Sequence, residues 1–538
     1  MKREASCVAR NTHDAIRKYE IRFTRYDSRD TIHEIRFTRY DFNMYNPSLK
    51  EFLKLTEKGN VIPVYKDINA DLDTPVSAFL KIKKTSYAFL FESVEGREKI
   101  ARFSFLGSDP SLVFTSKGRD IQIFNPRTKH VSKFVTKSSP LDEIKKIAAP
   151  FKSVNVEGLG RFSGGLVGYI SYDSVRFFEE VPDKNPDDLN LPDSIFILTE
   201  NILIFDHINH TIKIVANVIL PENKKFSNIA KTKFYNQAIK KIASIENDLK
   251  KQVFEKKGKE GALKKPEITS NFKKIEFENI IKKAKAYIKK GDIIQTVLSQ
   301  RFKARINKEP FEIYRNLRSS NPSPYMFYLK LKDVIFCGSS PEMLVRCEEG
   351  AIRARPIAGT KPRGRTDKED RQKENELLND KKEKAEHLML VDLGRNDLGR
   401  VSQTGSVKVS EFMAVEKYSH VMHLVSEIKG KLNSKKYDVY DVLKAAFPAG
   451  TVTGSPKIRA MEIIDELETL RRGPYAGCVG YFSFSRNMDT CITIRTIVIH
   501  KKIAYVQAGA GIVADSIPQN EYFESVNKAK ALLEAITK

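Results

Sequence analysis

From residue 61 to residue 221 short strand-like runs dominate the chain, and they limit the folds open to it. Residues 88–92, 102–106, 112–115, 121–124, 165–171, 195–205 and 211–218 are rich in β-branched and aromatic side chains. Turn signals such as Ser108-Asp109-Pro110 and Ser116-Lys117-Gly118 part them. An amphipathic helix over 275–290 then opens a second block, in which strands and helices alternate to the end. No βαβ regularity runs through the chain, so the pattern predicts an α+β fold in layers rather than a doubly wound sheet. A helix is also expected over 46–58, with Leu49, Phe52, Leu53 and Leu55 on its apolar side.

At 538 residues, 41% hydrophobic and 30% charged, the chain has the content of a globular protein with a sizeable core. No run approaches the roughly 20 apolar residues of a membrane helix. The first residues lack the apolar segment of a secretory signal. Cys7, Cys337, Cys347, Cys478 and Cys491 form no C-x-x-C and no metal-ligand cluster. A reduced cytoplasmic protein, with no membrane partner, is the expectation.

The formal net charge of +25 raises the question of nucleic acid. The excess is mostly lysine, thickest from Lys224 to Lys290, and no zinc finger, RNP-like or GXXG motif accompanies it. Within it, Ile239, Ile242, Ile245 and Leu249 mark a solvated helix, followed by an expected flexible linker over 260–266. A basic nucleic-acid-binding protein is the rival from another class. It would bind strands with steep salt dependence.

Residues 1–43 do not resemble the rest. The octapeptide EIRFTRYD stands at 20–27 and again at 34–41, and two copies are too few for a solenoid. This extension is expected to be disordered or untranslated, with translation starting at Met44. An intact mass that includes residues 1–43 would sink that expectation.

Two acidic pairs carry the clearest chemistry. Glu383 and Glu386, like Glu521 and Glu524, stand three apart, so each pair points two carboxylates along one helix face. Like charges so close repel, and a hard cation such as Mg2+ compensates them if the two helices face each other. Taken singly, either pair also suits an ordinary solvated helix face.

Residues 509–514 match G-x-G-x-x-A after a strand-like 503–507. A dinucleotide site needs the helix to open at those glycines and a second strand to follow. Here the helix is expected only at Pro518, with Ser516 and Gln519 as a capping box. The glycines suit either a close approach to a bound anion or a tight turn. A second helix start is expected at Gly454-Ser455-Pro456, with Ser455 as cap and Pro456 in the first turn. Residues 491–495 alternate like a strand, and Arg495 within it needs a carboxylate partner from a substrate or from the protein.

The segments 356–360, 383–400, 418–426, 449–468, 471–482 and 507–528 together resemble the chorismate-utilising enzymes, on the anthranilate synthase component I branch. The resemblance runs from about Met44 to the C-terminus. It implies two large packed antiparallel-rich sheets flanked by helices, with an N-terminal regulatory region over 44–265 and a catalytic region over 266–538.

The implied reaction adds ammonia to chorismate and then eliminates pyruvate to leave an aromatic ring. By resemblance, Mg2+ is held through Glu386 and Glu524, with Glu383 and Glu521 acting directly or through water. Glu342 matches the general acid, His423 the residue of the elimination step, and Thr451 a further catalytic position. Tyr475, Arg495 and the backbone of Gly509, Ala510 and Gly511 match the site for the enolpyruvyl carboxylate. Gly359, Thr360 and Lys528 match other substrate-lining positions.

Related synthases that activate water carry a lysine where Gln295 stands. Aminodeoxychorismate synthases, the nearest rivals, often carry one where Ala358 stands. Neither lysine is present, so the amine is expected from outside. No G-x-C-x-G element surrounds a cysteine, and a separate glutamine amidotransferase subunit in a hetero-oligomer is implied. Ser93, Pro324, Tyr325 and Met326 match an L-tryptophan feedback site, with Phe91 replacing the more usual leucine.

Overall fold

The computed structural model describes residues 44–83, 85–93, 102–222, 224–252, 266–418 and 421–538. The repeat-bearing extension and most of the expected linker lie outside the described residues. From Met44 to Lys538 the chain forms one compact unit.

Two twelve-stranded sheets, antiparallel throughout their strand pairs, make the α+β frame. In the first, strand Tyr87–Glu92 pairs with Tyr325–Leu331, so early and late chain share one ladder. Beyond it lie Val334–Ser340, Thr496–His500, Ile503–Ile512 and Gln295–Arg305. The second sheet is joined the same way, through Gly165–Ile170 against Cys478–Ser483. The 44–265 and 266–538 regions therefore each supply strands to both sheets.

The sheets pack face to face through aromatic side chains. Tyr169 of the second meets Phe336 of the first, ring centroids 4.5 Å apart, and Phe162 stacks on Tyr481 at 4.1 Å. Such buried rings dominate core energetics. Helices cover the outer faces. Ile242 and Leu249 of Asn228–Leu249 and Phe277, Ile281 and Ala284 of Lys274–Lys290 are buried, as their spacing predicts.

Two strand expectations are corrected. The run 195–205 is two strands, Ser194–Thr199 in the second sheet and Asn201–Asp206 in the first, with the chain switching sheets at Glu200. The run 491–495 breaks likewise: Met488–Ile492 belongs to the second sheet and Thr496–His500 to the first. Arg495 sits at this crossing with φ +50°, outside any strand. A third crossing lies at Pro341-Glu342, between Val334–Ser340 and Met343–Glu348.

Neither expected serine cap forms. Ser455 pairs with Gln295 as a two-residue strand, and the helix opens at Lys457. The Ser516 hydroxyl accepts instead from the Val513 N–H at 3.0 Å, and helix Pro518–Thr537 starts without a side-chain cap.

Candidate active site

The sheet crossings at Glu342 and Arg495 lie side by side. The Ile492 N–H donates to the Glu342 carbonyl at 3.1 Å, and the Ser339 N–H donates to the Arg495 carbonyl at 3.0 Å. One acidic and one basic side chain, 153 positions apart by number, thereby open into one cavity of about 770 Å³. That volume is ordinary for a small-molecule site.

Helix Lys381–Gly399 brings Glu383 and Glu386 to this cavity, and helix Pro518–Thr537 brings Glu521, Glu524 and Lys528. Asp380 caps the first helix by accepting from the N–H groups of Lys382 and Glu383. Burial, then the neighbouring Glu386, raises the Glu383 pKa; burial and Glu524 raise that of Glu521, against a hydrogen bond from Ser516. Glu386 Oε1 accepts from Gln295 Nε2 at 2.9 Å, and Glu524 pairs with Lys528 Nζ at 2.6 Å. With those two carboxylates so engaged, no group of three or more His, Cys, Asp or Glu among the described residues encloses a metal position.

The donor set nevertheless fits a hard divalent cation: four carboxylates line one cavity, and two of them carry like-charge repulsion. Two glycines keep that corner open. A Cβ on Gly359, whose φ is +63°, would lie 3.1 Å from Glu383 Oε2, and one on Gly511 would lie 2.6 Å from Gln295 Nε2.

Glu342 is 7% exposed, and burial pushes its pKa up to about 8, against a smaller opposing pull from Thr451, the Ile357 N–H and Lys528. It therefore holds its proton near neutrality, as a general acid must. The hydroxyl of Thr451, on the turn Gly450–Val452, is buried beside the Glu342 carboxyl, and Gln295 Oε1 is buried without a hydrogen-bond partner. Both line the cavity and have capacity for a ligand.

His423 Nδ1 lies 3.1 Å from the Gly359 carbonyl and 3.0 Å from the Thr360 hydroxyl. A carbonyl only accepts, so the Nδ1 proton points there and Nε2 keeps its lone pair. Burial lowers the His423 pKa, which also favours the neutral ring. Burial raises the Tyr475 pKa to about 12, against Arg472, so its hydroxyl stays a donor. Arg495 donates from Nη1 to the Lys528 carbonyl at 2.9 Å and has no ion-pair partner among the described residues. A half-buried cation left in that state is a ready receptor for a ligand carboxylate.

Of the residues expected in catalysis, substrate binding and metal binding, all but Ala510 line the cavity. Strand alternation sends its methyl to the opposite face, among Leu298, Ala460 and Ile512. The same alternation puts Gln507 beside Gly509 and Gly511 on the cavity face, and helical spacing adds Asn520 and Asn527 to Glu521, Glu524 and Lys528. Both signals were readable. Lys382, next to Glu383, also faces the cavity.

A separate narrow cleft of about 50 Å³ joins the four expected regulatory residues Ser93, Pro324, Tyr325 and Met326. Tyr325 donates to Asp489 Oδ1 at 3.0 Å and accepts from Arg346, which pairs with Asp489 at 2.8 Å. Ser93 Oγ, Arg161 Nε and Tyr481 OH line it without hydrogen-bond partners.

This fold and cavity define a class. The chorismate binding enzyme family model matches residues 86–534, and the chain belongs to that family. A curated relative, anthranilate synthase component 1 of Aquifex aeolicus (strain VF5), is 51% identical over 502 residues, covering 91% of this chain and 98% of the relative. That of Acetivibrio thermocellus is 47% identical, covering 92% and 99%. Anthranilate synthase component I from Streptococcus pneumoniae TIGR4 superposes with a TM-score of 0.71 at 36% identity, over 87% of this chain and 99% of that one. No helix among the described residues is long and apolar enough to cross a membrane.

Proposed function

We propose that this chain is an anthranilate synthase aminating subunit: chorismate and ammonia become anthranilate, pyruvate and water. What carries the reading is the convergence of a protonated buried carboxyl, a neutral histidine, an unpaired arginine and four carboxylates on one cavity. Glu342 gives its proton to the departing C4 hydroxyl as ammonia bonds to C2. His423 Nε2 then takes the C2 proton while the C3–O bond breaks and pyruvate leaves. Arg495 and Tyr475 hold the enolpyruvyl carboxylate by donating to it. Glu383, Glu386, Glu521 and Glu524 would hold Mg2+, which when bound offsets the charge of the ring carboxylate.

The ammonia comes from a separate glutaminase subunit in the cytoplasm. Supporting this, the thiols of Cys337, Cys347, Cys478 and Cys491 are all buried, with pKa values pushed upward by burial, so none of these is a ready nucleophile. L-Tryptophan inhibits by entering the narrow cleft, whose unpartnered polar atoms suit an amino-acid ligand. The cleft has to widen before an indole fits.

The test is a fluorescence assay of the purified chain with chorismate, Mg2+ and an ammonium salt at alkaline pH. Anthranilate is expected, and EDTA should abolish it. Chorismate consumed without anthranilate, with an aminated non-aromatic product retained, would assign the chain to the aminodeoxychorismate branch. Untouched chorismate in a folded sample would sink the reading. In the same assay Ser93→Leu, which fills the cleft, is expected to weaken tryptophan inhibition at least about tenfold, the cost of a lost polar contact and a clash. Unchanged inhibition would remove the cleft from consideration.

A further inference from the structure

A buried ion pair stands directly behind the cavity wall and takes no part in the chemistry above. Glu468 and Arg472 are 5% and 2% exposed. Arg472 donates from Nε and Nη2 to the two Glu468 oxygens at 3.0 and 2.6 Å. Its Nη1 donates to the Val452 carbonyl and its Nη2 to the Val297 carbonyl, both at 2.7 Å. Glu468 also accepts from the Ser299 N–H and hydroxyl, each at 2.8 Å, and Gln507 Nε2 donates to that hydroxyl at 2.9 Å. The guanidinium carbon lies 5.6 Å from the centre of the Tyr475 ring.

The carbonyl, ring and glutamine ends of this network reach the cavity. Val297, Val452, Tyr475 and Gln507 line it, and Thr451 precedes the carbonyl that Arg472 grips. Stability alone is a weak reason for such a pair, since desolvating two charges cancels most of their attraction and an apolar pair of like volume often serves better. What two methionines could not do is hold two carbonyls and a ring in fixed relation, because only a planar fork of N–H donors reaches them together.

We propose that Glu468 and Arg472 form a positioning unit for the cavity, setting the height of the Thr451 turn and the orientation of Tyr475 against the bound substrate. The proposal rests on the reaction assigned above. Wild-type turnover tests that assignment, whereas the ratio of variant to wild type tests the pair.

The experiment compares the wild-type chain with the double variant Glu468→Met/Arg472→Met, which leaves no lone buried charge, and with Arg472→Lys, which keeps the charge but not the fork. Circular dichroism and melting establish that each is folded. The double variant is expected to melt within a few degrees of wild type. Its kcat/KM for chorismate is expected to fall roughly a hundredfold, the scale of a misplacement near 1 Å. Most of that loss should lie in kcat, with the KM for ammonium unchanged. Arg472→Lys should lose kcat about tenfold despite its retained charge. A folded variant with kcat and KM within about twofold of wild type overturns the proposal. Failure of both variants to fold overturns it too, because the pair is then a requirement of the fold. If only the double variant fails to fold, the kinetics of Arg472→Lys decide.

Discussion

Replacing Glu342 by glutamine is expected to lower kcat about a thousandfold, because the amide has no proton to give to a leaving hydroxyl. The pH dependence separates this role from a merely structural one. Burial holds the Glu342 pKa near 8, so wild-type kcat, expressed per free ammonia, should fall with unit slope above that pH. The residual rate of Glu342→Gln should lack this limb. Stability responds to the substitution in the opposite direction from activity. A carboxyl raised from 4.5 to about 8 on folding binds more protons folded than unfolded between those values. Its contribution is fully present below pH 4.5 and is lost as pH rises through 8, on the order of 5 kcal/mol in all. Glu342→Gln removes that liability, so the variant should resist denaturant better than wild type at pH 9 and no better at pH 4.5. A wild-type pH profile for the variant, or equal stability at pH 9, would show that Glu342 is neither protonated nor catalytic.

The activity–stability conflict at Glu342 also explains why the residue sits where it does. A carboxyl held that far from its ordinary range needs a site where burial outweighs the pull of nearby cations, and regular strand interiors offer few such places. Pro341 ends one ladder and Met343 starts another, leaving Glu342 between the two sheets where both cores shield it. Arg495 occupies the matching gap in the adjacent crossing, hydrogen-bonded to the first through backbone. Proton donor and cationic receptor are thus built from irregular backbone, while regular strands supply rigidity around them.

That division accounts for what was legible in the sequence. The strand runs were readable because burial on both faces makes them nearly continuous apolar segments, as in Ser194–Thr199. Which sheet a strand joins was not readable, since residues 195–205 look uniform and only tertiary pairing splits them at Glu200. Ser455 looked like a cap because capping is a local pattern, yet its backbone was taken by Gln295 from 160 positions away. The acidic pairs were legible through helical spacing alone. Glu342 and His423 were not, and only the resemblance singled them out; Arg495 stood out as a charge in an apolar run, but its place at a chain crossing did not, because nothing local distinguishes a crossing from a turn. Ala510 was expected to act through its backbone, and its side chain faces away from the cavity, as alternation with Gly509 and Gly511 implies.

Replacing Glu386 and Glu524 together by glutamine is expected to remove Mg2+ dependence and about a thousandfold of the rate at saturating chorismate, the scale of several kcal/mol of lost charge stabilisation. Activity is not the only readout. An ion that binds the folded chain and not the unfolded one stabilises it by mass action, about 2.7 kcal/mol at a hundred times its Kd. Mg2+ should therefore raise the melting temperature of wild type without substrate, and leave that of the double variant unmoved. Glu383 and Glu521 supply the opposing control. Burial and the neighbouring carboxylates hold both pKa values above the ordinary range, so each is costly to ionise in the metal-free chain. Glu521→Gln should thus make the metal-free protein more stable at pH 8, where the unfolded-state carboxylate is fully ionised, and should weaken the Mg2+ response. Repulsion relieved by substitution in one state and by a cation in the other is what a metal site predicts and a solvated helix face does not. An undiminished Mg2+ shift in the Glu386→Gln/Glu524→Gln variant would assign the ion elsewhere and return these four carboxylates to the surface.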